Sequence, residues 1–453
     1  PLSSLLSSHH PTSPRKEERK TSPWPPLHDM ARSPTPAQLL QAAIFALLAL
    51  TLAPHMSFSP STITSLLQLP EEAQLPSFLS DHRVRVALLS LSWCSLVLLL
   101  AYLSTRPYPV LLLDYSCYKP DPDRRCSYEV SEYFVRRSRC LSPASEQFTR
   151  EIYQKSGLGD ETYAPPFLFQ VDYGAAVCRH ASAIQEAEEG LFAAVDALLS
   201  KALLHPSRVD VLLVACSMFA PCPSLTSMLV ARYGLNPSVK TFSFSGMGCS
   251  AGGVAVDAAA GILRRRKGYA LVVTTECTGL NWYFGDDRSM IVTNCIFRVG
   301  TAAVLLTSDP AKRRVAMMEL ARSLRTHHGA DDASYGAAVQ QEDEEGNVGV
   351  ALNKDLVRVA GAGLREHIAT LAPRVLPLSE LLRYAYAVVV IRSVMVLGRG
   401  RRRGGELPQV DVPDFTRAFE HVCFHPGGKA VINALGRLMK LPESVVEPAR
   451  MTL

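Results

Sequence analysis

A layered α/β protein carried behind a pair of membrane-spanning helices is the fold class the sequence predicts. Three observations predict it. Two uncharged apolar stretches lie near the N-terminus, short β-branched runs alternate with helical patterns from Tyr108 onward, and a turn of small residues around Cys249 joins a strand to a helix. At 453 residues the chain is long enough for about three domains by length alone, and for a large buried core. Apolar residues make up 47% and charged residues 20%, which excludes a chain disordered throughout. The formal charge of +5, from 47 basic and 42 acidic side chains, is too small to argue for nucleic acid as a partner. Mean hydropathy is slightly positive, at +0.09. The 11 cysteines form no C-x-x-C pair and are spaced too irregularly for a disulfide scaffold, so a reducing compartment is expected.

The elements follow in chain order. Residues 1–35 are rich in Ser, Pro, His and mixed charge and read as disordered, with Met30 as an alternative start. Residues 36–107 read as a membrane hairpin. Its two helices are expected over Ala37–Ala53 and Val86–Leu103, each at the short end of the ~17–25 residues that span a bilayer. Arg15, Lys16, Arg19, Lys20 and Arg32 before the first span, with Arg106, Arg124 and Arg125 after the second, favour both ends on the cytoplasmic side. An amphipathic helix is expected around Ala183–Lys201, and strands over Val209–Ala215, Thr241–Phe244, Tyr269–Thr275 and Thr301–Thr307. Gln341–Asn347 reads as a polar loop, and Arg399–Gly405 as a flexible basic linker.

The chemistry concentrates in Ser245–Gly253, SGMGCSAGG. The Thr241–Phe244 strand enters it, and a helix over about Ser250–Lys267, capped by Gly268, leaves it. That places the Cys249 thiol at a helix N-terminus, where the free N–H groups and the macrodipole favour the thiolate. A thiolate is the right nucleophile for taking an acyl group from another thioester. An α/β-hydrolase elbow is excluded, because Met247 and Ala251 stand where that turn needs glycine. His421 and His425 lie in HVCFHPGG. Pro426-Gly427-Gly428 ends any helix at the second histidine and no third ligand stands nearby, so the pair is not read as a metal site. A neutral His425 at that loop-to-helix junction can donate to a developing enolate or oxyanion. His327 and His328 point in different directions in any regular element, so at most one of them serves a given pocket. The Arg264–Lys267 run reads as a solvated helix end.

The matching strings are long: LLLDYSCYKP (111–120), ETYAPP (161–166), GMGCSAG (246–252), LNWYFGDDRSM (280–290), NCIFRVG (294–300), RTHHGADD (325–332), LPLSELL (376–382) and FEHVCFHPGGKAVI (419–432). On these residues the chain resembles the plant 3-ketoacyl-CoA synthases, the condensing enzymes of very-long-chain fatty acid elongation. The resemblance implies a thiolase-like five-layer αβαβα fold of two similar halves, here 108–310 and 311–453. It assigns the nucleophile to Cys249 and matches the motif histidines to His327, His421 and His425, with His425 facing the thiol. The implied reaction is decarboxylative Claisen condensation of an acyl-CoA with malonyl-CoA, without metal or redox cofactor. Also implied are an endoplasmic reticulum membrane location with the catalytic part facing the cytosol, a homodimer, and contact with other elongase subunits. Ala215, Ala220 and Thr301 depart from the family pattern. The family's Asn-bearing motif would follow Leu453 at once, so the second half is expected to be truncated and its activity impaired. Two alternatives are a non-catalytic partner of an elongase and a soluble polyketide synthase-like enzyme.

Overall fold

The computed structural model describes residues 82–169, 179–397 and 412–453. The expected disordered segment, the first expected span and the Arg399–Gly405 linker lie outside the described residues. The chain divides into two units, up to Arg106 and from Pro107 onward.

In the first unit, helix α1 runs His82–Thr105 and contains the whole second expected span. It exposes Leu91, Trp93, Val97, Leu98, Leu100 and Tyr102. Its side chains are described for 89–100 and 102, about three and a half turns. Among the described residues no helix is long and apolar enough to cross a membrane.

The second unit is organised by one six-stranded sheet. Its strands are β1 (Leu111–Tyr118), β2 (Val211–Ala215), β3 (Lys240–Phe244), β4 (Tyr269–Thr275), β5 (Thr301–Thr307) and β6 (Met318–Glu319), in the order β3-β2-β4-β5-β1-β6. Strands β3, β2 and β4 are mutually parallel, while β5, β1 and β6 join antiparallel. Helices cover both faces, as the fully buried β-branched runs require. On one face α4 (His180–Ala202) lays down a stripe of Ala183, Ala187, Leu191, Ala194, Val195 and Leu198, against Leu212, Val214, Leu271, Val273 and Leu305. On the other, α6 (Ala251–Leu263) buries Ala251, Ala255, Ala259, Ala260 and Leu263 against Val211, Leu213, Ala270 and Val272. The alanines on this face let the helix axis approach the sheet closely. Arg124 fixes β1 to α4: its guanidinium donates to Glu189 (2.8 Å) and to the Tyr118 hydroxyl (2.8 Å), and Tyr118 donates to Glu189 (2.6 Å).

Three further helices, α2 (Tyr128–Ser138), α3 (Pro143–Ser156) and α7 (Arg288–Ile296), form a satellite core around Val135, Tyr153, Tyr283, Met290 and Ile291. Between α4 and α6 lies α5 (Leu225–Tyr233), capped by the Ser224 hydroxyl.

The second half departs from the five-layer expectation. Among its described residues it holds no second large sheet. It contributes the hairpin β7 (Ala338–Glu342) with β8 (Val348–Leu352), the short helix α8 (Asp332–Tyr335), and helices α9 (Leu356–Val375), α10 (Leu378–Leu397), α11 (Lys429–Leu438) and α12 (Glu443–Met451). The hairpin closes locally, because Gly346 takes a positive φ of 83° and the Asp343 carboxylate accepts from the Glu345 and Asn347 amides. The expected polar loop therefore starts two residues late, since Gln341 and Glu342 belong to β7.

Candidate active site

Three parallel strands end side by side, and the loops that follow them make the site. This is the edge of an α/β sheet where ligands characteristically bind. After β3 the chain turns through Gly246 (φ 67°) and Gly248 (φ 62°), left-handed conformations that favour glycine. A single 3-10 turn, Gly248–Ser250, carries Cys249 and runs into α6. Cys249 is exposed.

The loop 216–218 after β2 holds this turn. The Cys216 amide donates to the Phe244 carbonyl (3.0 Å), the Gly246 amide donates to the Ser217 carbonyl (3.1 Å), and the Ser217 hydroxyl donates to the Gly248 carbonyl (3.1 Å). Glu276, just past β4, holds the loop in turn. Its carboxylate accepts from the Ser217 amide (3.0 Å), the Met218 amide (2.8 Å) and the Cys216 thiol (3.3 Å). Asn281 donates to the Met218 carbonyl (3.0 Å), and Gln340 of β7 donates to Asn281 (2.5 Å).

The electrostatics differ from the expectation of a helix-stabilised thiolate. Cys249 is pushed above its usual 9, first by burial around its sulfur and second by the negative charge of Glu276; its own backbone amide pulls the other way and loses. The helix N-terminus acts within its first turn, but the Glu276 carboxylate acts on the same sulfur with opposite sign. The neighbouring Cys277 is pushed up strongly, chiefly by its hydrogen bond with Cys216 and by burial. Glu186 on α4 is 5% exposed and is raised to about 7 by burial, although the Thr278 amide and hydroxyl and the Gly279 amide all donate to it.

That value makes a prediction. The unfolded chain releases the Glu186 proton near 4.5, whereas the folded chain keeps it to about 7. The folded state therefore binds more protons in between, and stability falls as pH rises through that window, by on the order of 3 kcal/mol. Urea unfolding between about pH 5 and about pH 8 will show this slope, and Glu186→Gln will flatten it.

The other expected site residues take the following places. His425 is exposed as a residue, and burial around its ring lowers it below its usual 6.5. It lies in the irregular stretch before α11, whose start at Lys429 matches the expectation, with Gly428 at φ 122° as the N-cap. His421 is exposed in the same stretch. His327 is exposed, and its Nδ1 accepts from the Gly329 amide at 3.1 Å. His328 turns the other way, toward Glu366 of α9 at 3.6 Å. Among the described residues, no hydrogen bond or ion pair joins Cys249 to His327, His421 or His425. No group of three or more metal-ligating side chains occurs among the described residues.

Two helix-end expectations are also corrected. Helix α6 closes at Leu263 rather than Lys267, and Gly268 does not cap it. Gly268 packs closely instead, since a Cβ there would stand 2.5 Å from the Asp210 carboxylate oxygen that the Tyr269 amide holds. Arg266 pairs with Asp210 and Lys267 with Asp309, so half of the basic run is spent on local ion pairs. Glu276, Ser217, Glu186 and the Cys216–Cys277 pair were missed by sequence reasoning. An acid directly after a buried strand, in TTECTG, is the one signal that pointed toward them.

Comparison with known proteins bears on this geometry. The model of the FAE1/type III polyketide synthase-like protein family matches residues 102–394. Among curated relatives, 3-ketoacyl-CoA synthase 11 of Arabidopsis thaliana is 41% identical over 81% of this chain and 70% of its own length. Arabidopsis 3-ketoacyl-CoA synthases 2 and 4 are 41% and 40% identical, over 78% and 81% of this chain and 65% and 69% of their own lengths. A solved polyketide synthase, PKS-I of the brown alga Ectocarpus siliculosus, superimposes with a TM-score of 0.55 at 16% identity. It covers 76% of this chain and 84% of its own, which shows a shared mixed α/β fold of the thiolase-like type.

Proposed function

The chain belongs to the FAE1/type III polyketide synthase-like family of acyltransferases, with the 3-ketoacyl-CoA synthases as its relatives, and we propose that it condenses a long-chain acyl-CoA with malonyl-CoA. One observation carries this reading: an exposed thiol on a glycine-flanked turn at the C-terminal edge of parallel strands, held by the loop of the adjacent strand.

The chemistry balances on this chain's residues. Cys249 sulfur attacks the acyl carbonyl, the C–S bond to coenzyme A breaks, and the thiol proton ends on the departing coenzyme A. Malonyl-CoA then loses CO2. The resulting enolate carbon attacks the acyl-enzyme carbonyl, the C–S bond to Cys249 breaks, the released thiolate takes up one proton from water, and a 3-ketoacyl-CoA two carbons longer leaves. No step calls for a metal or redox cofactor. His425 is the proposed donor to the enolate oxygen, with His421 and His327 as the further motif histidines. Its lowered pKa keeps the ring neutral near pH 7, the state that can take the thiol proton and later donate one.

The proposal extends to place and partners. The apolar exposed surface of α1 supports attachment to a membrane, here assigned to the endoplasmic reticulum with the catalytic unit on the cytosolic side. Among the described residues strand β3 pairs with β2 alone and leaves Phe242 40% exposed, an edge that a second copy of the chain would cover. A homodimer is part of this reading, and Phe242→Asp will shift the detergent-solubilised protein toward monomer in multi-angle light scattering. Contact with other elongase subunits belongs to the same reading.

Membranes from cells expressing the chain, given labelled malonyl-CoA and a long-chain acyl-CoA, test the function. A labelled 3-ketoacyl product is expected. No product, together with a Cys249 that acyl-CoA leaves unmodified, rejects the proposal. A binding role without turnover is the second reading. It is favoured by the lack, among the described residues, of any hydrogen bond or ion pair between Cys249 and the three histidines. Acylation of Cys249 with no condensation would select it.

A further inference from the structure

Glu276 is half-buried and uses both oxygens: one accepts from the Met218 amide and the Cys216 thiol, the other from the Ser217 amide. Ser217 then binds the Cys249 turn at two points, through its carbonyl to Gly246 and through its hydroxyl to Gly248. Two consecutive main-chain amides converging on one carboxylate fix a loop rigidly, because charge-assisted bonds are short and strong. The path is therefore two hydrogen-bonded links long, from the Glu276 carboxylate to the Ser217 amide and from Ser217 to Gly246 and Gly248.

We propose that Glu276 is a positioning residue for acyl transfer: its carboxylate locks the 216–218 loop, and the loop locks the turn that presents Cys249. This rests on reading Cys249 as the acyl acceptor. The arrangement has a cost that identifies it. A carboxylate kept close to a nucleophilic thiol opposes its ionisation. Were Glu276 there to activate the sulfur, its sign would be wrong. The geometry it imposes is the function that survives.

Charge and geometry can be separated by substitution. Glu276→Gln removes the charge, and its amide nitrogen would face a main-chain N–H, so one of the two amide bonds is lost. Glu276→Asp keeps the charge but draws the carboxylate back by one methylene. Ser217→Ala leaves Glu276 intact and cuts only the hydroxyl link to Gly248. Two readouts are taken on detergent-solubilised full chain: the single-turnover rate of Cys249 acylation by a long-chain acyl-CoA, and the pH midpoint of Cys249 alkylation by iodoacetamide. Peptide mapping separates Cys249 from the other exposed cysteines, among them Cys117, Cys140, Cys222 and Cys423.

The expected results differ by variant. Acylation falls about tenfold or more in both Glu276 variants, the scale for a misplaced reacting group. The alkylation midpoint moves to lower pH in Glu276→Gln and stays with the parent in Glu276→Asp. Ser217→Ala acylates about threefold more slowly, with an unmoved midpoint. Parent-like acylation in both Glu276 variants overturns the proposal, as does a loss of acylation that follows the loss of thermal stability across all three. If the parent itself accepts no acyl group, the reading of Cys249 fails instead. The alkylation arm still decides about Glu276, because a parent-like rate of Cys249 alkylation above the midpoint in both Glu276 variants shows that it does not hold the turn that presents the sulfur.

Discussion

Replacing Cys249 by Ala leaves the protein unable to carry an acyl group. Intact-mass measurement after incubation with a long-chain acyl-CoA will show the acyl adduct on the parent and none on the variant. Condensation will fall by on the order of 10⁴–10⁶, the range for removing a nucleophile that acts as one unit with its partners. The substitution folds, since Cys249 is exposed and makes no side-chain hydrogen bond that the turn needs; the turn is held through the Ser217 carbonyl and hydroxyl. The pH dependence follows from the sulfur's surroundings. With the thiol above its usual 9, only a small fraction is ionised near neutrality, so acylation will climb with pH across about pH 7 to about pH 9. Acylation that stays flat over that range would show a thiolate already formed despite the burial and the Glu276 charge.

Replacing His425 by Gln has the second large effect. A thiol that resists ionisation needs a base, and a histidine held below its usual 6.5 is neutral and able to serve near pH 7. Loss of the imidazole will slow decarboxylation of malonyl-CoA by about 10²–10³, the scale for one oxyanion donor. It will slow acylation as well, so the two half-reactions are measured separately. The parent's acid limb will lie below 6.5, because the ring loses its basic form only on reaching its lowered pKa. Stability moves in the same sense. The unfolded chain takes up the proton near 6.5 and the folded chain later, so this contribution is present above 6.5 and is lost as pH falls toward the folded value. A variant that decarboxylates at the parent rate would remove His425 from the site.

Much of the fold was legible in order of residues. Tyr269–Thr275 and Thr301–Thr307 are strands over the expected residues, and Lys429–Leu438 is the helix that Pro426-Gly427-Gly428 announces. These elements were readable because β-branched runs, glycine and proline act on their own backbone, over a few residues. Helix α6 closes at Leu263, and Arg266 and Lys267 beyond it pair with Asp210 and Asp309, partners too far along the chain for the basic run itself to reveal. The second half was expected to be an incomplete repeat of the first, but β7 and β8 close on each other through the Gly346 turn, while the two-residue β6 joins the large sheet beside β1.

By itself the sequence determined that Cys249 sits in a strand–glycine–cysteine–helix turn, because glycines at positive φ and a small-residue helix start are local requirements. Only the tertiary structure decided what that sulfur feels. Parallel pairing of β3, β2 and β4 brings Ser217, 32 positions before it by number, and Glu276, 27 positions after it, to the same strand ends. An opposing charge acts through space and not along the chain, so the sign of the shift at Cys249 was set by strand order, which no window of residues around it contains.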